Sequence, residues 1–252
     1  MKKIQILFAA ILLLSFVQPI KRKTKIYLIG DSTISIKETK VYPETGWGMP
    51  FVYFFDSTIE VDNRAKNGRS TRTFISENRW QSVADSLQNG DYVFIQFGHN
   101  DESKEKADRY VTPEQFKINL TKFVVETRSK NANPVLITAV ARRKFDSTNH
   151  VVDGHGVYTQ IVRELAKELN VPMIDLQKSS TALIEKMGIE NSKLLFLQLE
   201  KDEHPNYPEG KIDNTHFNEL GARKMAQLVL DGIKNIKLDL VNHIIKPILK
   251  KG

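Results

Sequence analysis

Four short stretches of this chain carry side chains whose types and spacing can do chemistry. Gly30-Asp31-Ser32-Thr33 directly follows the apolar run Ile26-Tyr27-Leu28-Ile29. A serine at a strand-to-loop bend can lift its hydroxyl above a sheet and leave its own N–H free for an anionic oxygen; the same residues also make an ordinary turn or helix cap. Asn67-Gly68 offers a glycine able to aim its N–H at a ligand, or else a plain Asn-Gly turn. Gly98-His99-Asn100-Asp101 follows Gln96-Phe97. An Asn there can donate an amide N–H to a developing negative charge, or simply cap the strand end. In Asp213-Asn214-Thr215-His216 the spacing lets one turn fold a carboxylate beside an imidazole, fixing its tautomer and stabilising the imidazolium; the alternative is a helix-entry turn with His216 merely exposed.

These stretches are positioned by alternating strands and helices. Ile26–Ile29, Thr58–Val61, Tyr92–Phe97, Val135–Ala139 and Val171–Ile174 are short, continuously apolar runs, the pattern of strands covered on both faces in a parallel sheet. Between them, Thr112-Pro113-Glu114-Gln115 opens a helix with a capping box, Gln115 reaching back to the cap; Phe116, Leu120, Phe123 and Val124 form its buried stripe. A second helix carries Ile161, Val162, Leu165 and Leu169. A third is capped by Asn218, with Ala222, Met225, Ala226 and Val229 inward. Strand–helix alternation predicts a doubly wound, three-layer α/β/α sandwich on a five-stranded parallel sheet, with its site beyond the carboxyl ends of the strands. Three of the four reactive stretches fall at such ends.

Composition sets further bounds. Residues 1–20 pair Lys2 and Lys3 with the apolar run Ile4–Val17, too short for a spanning helix of ~20 residues, and read as a signal peptide; an uncleaved anchor is the alternative. The expected organisation is therefore a leader at 1–20 and one catalytic domain at 21–252, exported to the periplasm or secreted, with membrane contact only if the leader stays. The chain has no Cys, which excludes a lipoprotein, a disulfide and a thiol nucleophile. Its net charge of +7 falls to +5 without the leader, too modest to point to nucleic acid but compatible with an acidic substrate.

Taken together, the blocks Ser, Gly, Asn and Asp-x-x-His, in that order, resemble the SGNH or GDSL-type hydrolases over nearly the whole chain behind the leader. Thr45-Gly46-Trp47-Gly48, Asn63-Arg64-Ala65 through Gly68-Arg69-Ser70, Gln96-Phe97-Gly98-His99-Asn100-Asp101 and Tyr207-Pro208-Glu209-Gly210-Lys211 through His216-Phe217 are most similar to one branch, the rhamnogalacturonan acetylesterases. The resemblance implies a flavodoxin-like fold and Ser32 as nucleophile. It also implies an oxyanion hole of Ser32 N–H, Gly68 N–H and the Asn100 side chain, His216 as general base, Asp213 as its orienter, and no cofactor or metal. The implied substrate is an acetylated pectin-type polysaccharide or oligosaccharide. Arg69, Arg72, Arg142, Arg143, His204 and Tyr207 stand near these motifs and are expected to read an acidic sugar, with Trp47 as a stacking face.

Three alternatives remain open on the sequence. The same machinery serves a xylan-type or acyl-lipid ester. Asp31, His99, Asn100, Asp101, Asp213 and His216 are plausible hard-metal ligands of a metallophosphoesterase, although Ser32 then has no task. A non-catalytic carbohydrate-binding relative is the third, although none of Ser, Asn or His is missing. Nucleotide binding lacks both the G-x-G-x-x-G and P-loop patterns.

Overall fold

The computed structural model describes residues 22–246. The leader read from residues 1–20 lies outside them. Five parallel strands, β1 (Thr24–Gly30), β2 (Ile59–Asn63), β3 (Tyr92–Gln96), β4 (Asn133–Ile137) and β5 (Met173–Ile174), form one sheet in the order β2-β1-β3-β4-β5. Among the described residues seven α-helices connect or cover them: α1 (Gly48–Phe51), α2 (Thr71–Ser76), α3 (Arg79–Ser86), α4 (Pro113–Ser129), α5 (Val157–Glu168), α6 (Leu176–Asn191) and α7 (Glu219–Asn235). This is the expected doubly wound α/β/α sandwich, and 2-1-3-4-5 is the flavodoxin-like strand order.

Apolar residues on both faces of the strands explain the three layers. Ile26 and Leu28 of β1, with Tyr92 and Phe94 of β3, pack into one core with Phe51, Ile184, Met225, Ala226 and Val229. Tyr27, Ile29, Val93 and Ile95, pointing the other way, pack into a second core with Phe74, Trp80, Phe116, Phe123, Val162 and Leu165. One sheet thus buries its two faces against different helix sets, which requires runs with no polar alternation.

Local signals behave largely as expected. Thr112 caps α4 by accepting from Gln115 N–H, and Asn218 caps α7 by accepting from Gly221 N–H. Gln115 does not reach back to the cap; its amide donates to Asn119 at 2.9 Å, so only half of the expected box forms. Two features are new. Ser70 and Thr73 make a reciprocal capping box at the start of α2. A two-stranded antiparallel sheet of β6 (Phe196–Leu199) and β7 (Lys211–Phe217) carries the Asp213–His216 stretch, expected above as a turn.

At the amino end of the sheet, away from the reactive stretches, Asp91 is fully buried. Its carboxylate accepts from the backbone N–H of Lys25 and of Gln88 at 2.9 Å each, and from the Arg22 guanidinium at 2.6 Å. Its carbonyl accepts from Asn133 N–H at 2.7 Å, so one residue aligns the starts of β1, β3 and β4. Asp91→Ala should destabilise the fold by roughly 1–3 kcal/mol for each N–H left unpaired. Urea unfolding would register this as a lower midpoint.

Candidate active site

The strand order places the site. The chain leaves β1 toward β2 on one side and returns to β3 on the other, so a crevice opens at their carboxyl ends. Gly30 pairs with Gln96 and Leu28 with Asn63. The loops that follow these three neighbouring strands therefore emerge together, carrying Ser32, Asn100 and Gly68. Gly30 is required by close approach: a Cβ there would sit 2.3 Å from the Gln96 carbonyl oxygen.

Beneath Ser32 the bend is held by a buried hydrogen-bond chain. The indole N–H of Trp47 donates to Gln96 at 3.0 Å, and the Gln96 amide donates to Thr33 Oγ1 at 2.7 Å. Thr33 donates its hydroxyl at 2.8 Å and its backbone N–H at 2.9 Å to Asp31. Burial opposes the Asp31 charge, but His99 and the Thr33 donors outweigh it and hold the carboxyl down at about 2. His99 lies with Nδ1 3.3 Å from Asp31, and burial pushes its imidazole down to about 4 despite that carboxylate.

The imidazole comes from the other end of the chain. Between the pairs Phe196–Phe217 and Gln198–Ile212, β6 advances two residues while β7 advances five. The surplus forms a bulge that includes Asp213–His216. Asp213 Oδ1 accepts from the backbone N–H of Thr215 at 2.8 Å and of His216 at 2.9 Å, which closes the bulge, while Oδ2 meets His216 Nδ1 at 2.8 Å. His216 Nε2 then stands 2.9 Å from Ser32 Oγ. Burial resists the Asp213 charge, but the His216 ring and these two N–H donors hold the carboxyl well below the usual carboxylate range.

Beside Ser32 lies a cleft of about 430 Å³, lined also by Asn67, Gly68, His99, Asn100, Arg109 and His216. Gly68 sits at φ +74°, a left-handed conformation natural to glycine. One amide hydrogen of Asn100 goes to the Arg69 carbonyl at 3.0 Å, which fixes the side chain and leaves its second hydrogen for a ligand. A hydroxyl bonded to a carboxylate-backed imidazole, next to donors for an oxyanion, is an arrangement able to transfer an acyl group.

The family model described as GDSL-like lipase/acylhydrolase matches residues 28–224, which span every block of the site. The chain belongs to this family. As a family member it is a carboxylic ester hydrolase. It is 43% identical over 225 residues to the rhamnogalacturonan acetylesterase RhgT of Bacillus subtilis (strain 168), covering 89% of this chain and 96% of that one. Among solved structures, the fold is similar to the Bacillus subtilis protein YXIM, with a TM-score of 0.74 at 25% identity; the match covers 88% of this chain and 59% of that one. It is also similar in fold to Axe2, an acetylxylan esterase of Geobacillus stearothermophilus, with a TM-score of 0.63 at 17% identity, covering 88% and 98% of the two chains.

The structure brings five of the sequence-predicted GDSL-family site residues into one cleft: Ser32, Gly68, Asn100, Asp213 and His216. It redistributes the expected sugar readers. Trp47 is fully buried and cannot stack on a substrate; its indole braces Gln96 instead. Arg143 serves β7, donating to Asn214 Oδ1 at 2.9 Å and Ser192 Oγ at 3.0 Å. Arg72 donates to the Ala107 carbonyl at 3.2 Å, and the Arg69 guanidinium is held by Glu77 at 3.0 Å. The His204 ring packs beside Tyr42, and the Tyr207 hydroxyl donates to the Val41 carbonyl at 2.9 Å, so both brace the 39–42 segment rather than line the cleft. Arg142 does line it, paired to Glu102. The six hard-ligand candidates do not converge, because Asp101 faces Thr71 while Asp213 and His216 face Ser32. Among the described residues no group of three or more His, Asp or Glu is disposed to hold a metal ion.

Two residues beside the reactive serine escaped the sequence reading. Lys37 has a side chain only 2% exposed, with Nζ donating to the Ser32 carbonyl at 2.5 Å, to Asn67 Oδ1 at 2.8 Å and to Glu44 at 2.7 Å. It joins the loops after β1 and β2, yet one Lys in a polar loop carries no sequence signal. Arg109 is the other, lost among the charged residues of the 101–109 loop.

Below the cleft Asp101 accepts from the Thr71 N–H at 2.8 Å and hydroxyl at 2.6 Å through one oxygen, while its other oxygen has no partner. Burial pushes this carboxyl up to about 7, against the Thr71 donors. The folded state therefore keeps a proton that the unfolded chain releases near 3.8, the ordinary value of an aspartate. That contribution to stability is whole below the unfolded value and is lost as pH rises through about 7. Asp101→Asn should match the parent near pH 4 and exceed it by pH 8, with a gap on the order of 4 kcal/mol, read as the pH dependence of denaturant midpoints.

Proposed function

We propose that the chain is an exported serine esterase that removes acetyl groups from rhamnogalacturonan-type pectin through an acetyl-enzyme. The observation that carries the catalytic reading is the unbroken chain Asp213–His216–Ser32, with bonds of 2.8 and 2.9 Å, beside Gly68 and Asn100. The 43% identity to a rhamnogalacturonan acetylesterase over most of both chains supports the substrate.

In this mechanism the Ser32 hydroxyl attacks the acetyl carbonyl carbon as His216 Nε2 takes its proton. Asp213 keeps the proton on Nδ1 and stabilises the imidazolium. The tetrahedral oxyanion is received by the Ser32 and Gly68 N–H groups and the free amide hydrogen of Asn100. The C–O bond to the sugar breaks, and the sugar oxygen takes the proton from His216. Water then gives a proton to the same imidazole and attacks the acetyl-enzyme, releasing acetate and restoring Ser32. No step calls on a cofactor.

Ser32→Ala should fold normally yet lose turnover by several orders of magnitude, because only binding and the oxyanion donors remain; retention of more than about a tenth of parental kcat would sink the nucleophile assignment. Asn100→Ala should lower kcat by about 10²–10³ with little change in KM, since its donor acts mainly in the transition state. Acetate release should be faster from acetylated rhamnogalacturonan than from acetylxylan, whose backbone is neutral. Equal rates on the two polymers would retire the pectin reading while leaving the esterase intact.

A further inference from the structure

The cleft beside Ser32 is lined by charges of both signs, its cations being Lys106, Arg109 and Arg142. Lys37 is enclosed by Glu44, Asn67 and the Ser32 carbonyl, and Arg142 is bound to Glu102. Arg109 differs. Its guanidinium lies over Gly68, with Nη1 3.1 Å from where a Cβ on that glycine would stand, so it borders the proposed oxyanion site. Nε and Nη2 hold Asp108, the preceding residue, whose side chain is 67% exposed. Nη1 donates to no protein acceptor among the described residues.

An exposed pair between sequence neighbours is weak and readily exchanged, because water screens it. The loop beneath is nevertheless ordered: Val111 N–H donates to the Asp101 carbonyl at 2.9 Å, and Arg109 N–H to the Lys106 carbonyl at 3.0 Å. Lys106, exposed and without an ion-pair partner among the described residues, lines the same wall, while Glu105 opposes it. Arg109 and Lys106 are set against Asp108 and Glu105, so this wall carries no large net charge, and a flat donor there suits a single carboxylate rather than a polyanion.

We propose that Arg109, assisted by Lys106, forms a carboxylate-reading subsite beside the reactive serine, taking a uronate of the sugar chain whose acetyl group lies at Ser32. The assignment of a uronate-bearing substrate rests on the pectin reading above; the geometry supplies the residue. The ordered arginine places the sugar chain by its acid group, so Arg109 sets specificity rather than chemistry.

The test uses an unacetylated oligosaccharide of alternating galacturonate and rhamnose, and its carboxyl-reduced form, as competitive inhibitors of p-nitrophenyl acetate hydrolysis by the whole chain. The inhibition constant is read independently of turnover, so it does not depend on either variant keeping parental activity. The acidic form should bind the parent about tenfold more tightly than the reduced form, as expected for one charge-assisted fork. Arg109→Gln should erase that difference, and Arg109→Lys should restore part of it. Equal inhibition of the parent by both forms, no inhibition by either, or an unchanged constant in Arg109→Gln would each overturn the subsite. If instead acetylated rhamnogalacturonan yields no acetate while the acidic inhibitor still depends on Arg109, the substrate reading fails and the carboxylate subsite stands.

Discussion

Ser32 and His216 lie 184 residues apart, and the 2.9 Å bond between them forms only if both ends are held to within a fraction of an ångström. Thermal freedom of either loop would disperse the pair, and displacement of about 1 Å can cost 10²-fold in rate. Much of the polar construction at the carboxyl end of the sheet answers that constraint. On the serine side, Trp47, Gln96, Thr33 and Asp31 make a buried relay that ties the bend to β3. On the histidine side, one Asp213 oxygen closes the β7 bulge through two backbone N–H groups while the other orients the ring. Asp213 is therefore a fold element and the proposed orienter at once.

The oxyanion side follows the same rule by other means. Lys37 bonds the Ser32 carbonyl and the Asn67 side chain, and so joins the loops carrying two of the three proposed donors. Burial lowers its tendency to hold a proton, while Glu44, Asp31 and Asp213 counter that loss. Asn100 is turned by the Arg69 carbonyl, so Arg69 contributes through its backbone while its guanidinium serves Glu77. Donors fixed before the substrate arrives need no reorganisation during reaction, which is the physical basis of electrostatic preorganisation. Placed under the site, His99 and Asp101 are buried with ring or carboxyl atoms that lack partners, a cost carried where rigidity matters most.

How far this was legible follows from the range of each interaction. The parallel sheet, its five strands and the two-sided burial could be read because strand periodicity and helix caps are local; Ile26–Ile29 and the caps at Thr112 and Asn218 each signal within a few residues. The blocks around Ser32, Gly68, Asn100 and His216 could be read because their residue types and order constrain the chemistry. The β6–β7 sheet could not, since its pairing spans Phe196 to Phe217 and depends on a bulge with no compositional signal.

The sequence by itself determined the fold class, the family resemblance and the residue types available for acyl transfer, because backbone propensity, burial pattern and motif order are written along the chain. Only the tertiary structure decided what each cation and aromatic near the motifs does. Trp47, Arg143, His204 and Tyr207 all read as substrate contacts from their position, yet each is committed to bracing a neighbouring segment. Lys37 and Arg109 carried no signal in the sequence, yet one is enclosed under Ser32 and the other lies over Gly68. A charged side chain takes its role from whichever partner reaches it first in space, and that partner can stand far off in sequence, 71 residues in the bond between Arg143 and Asn214.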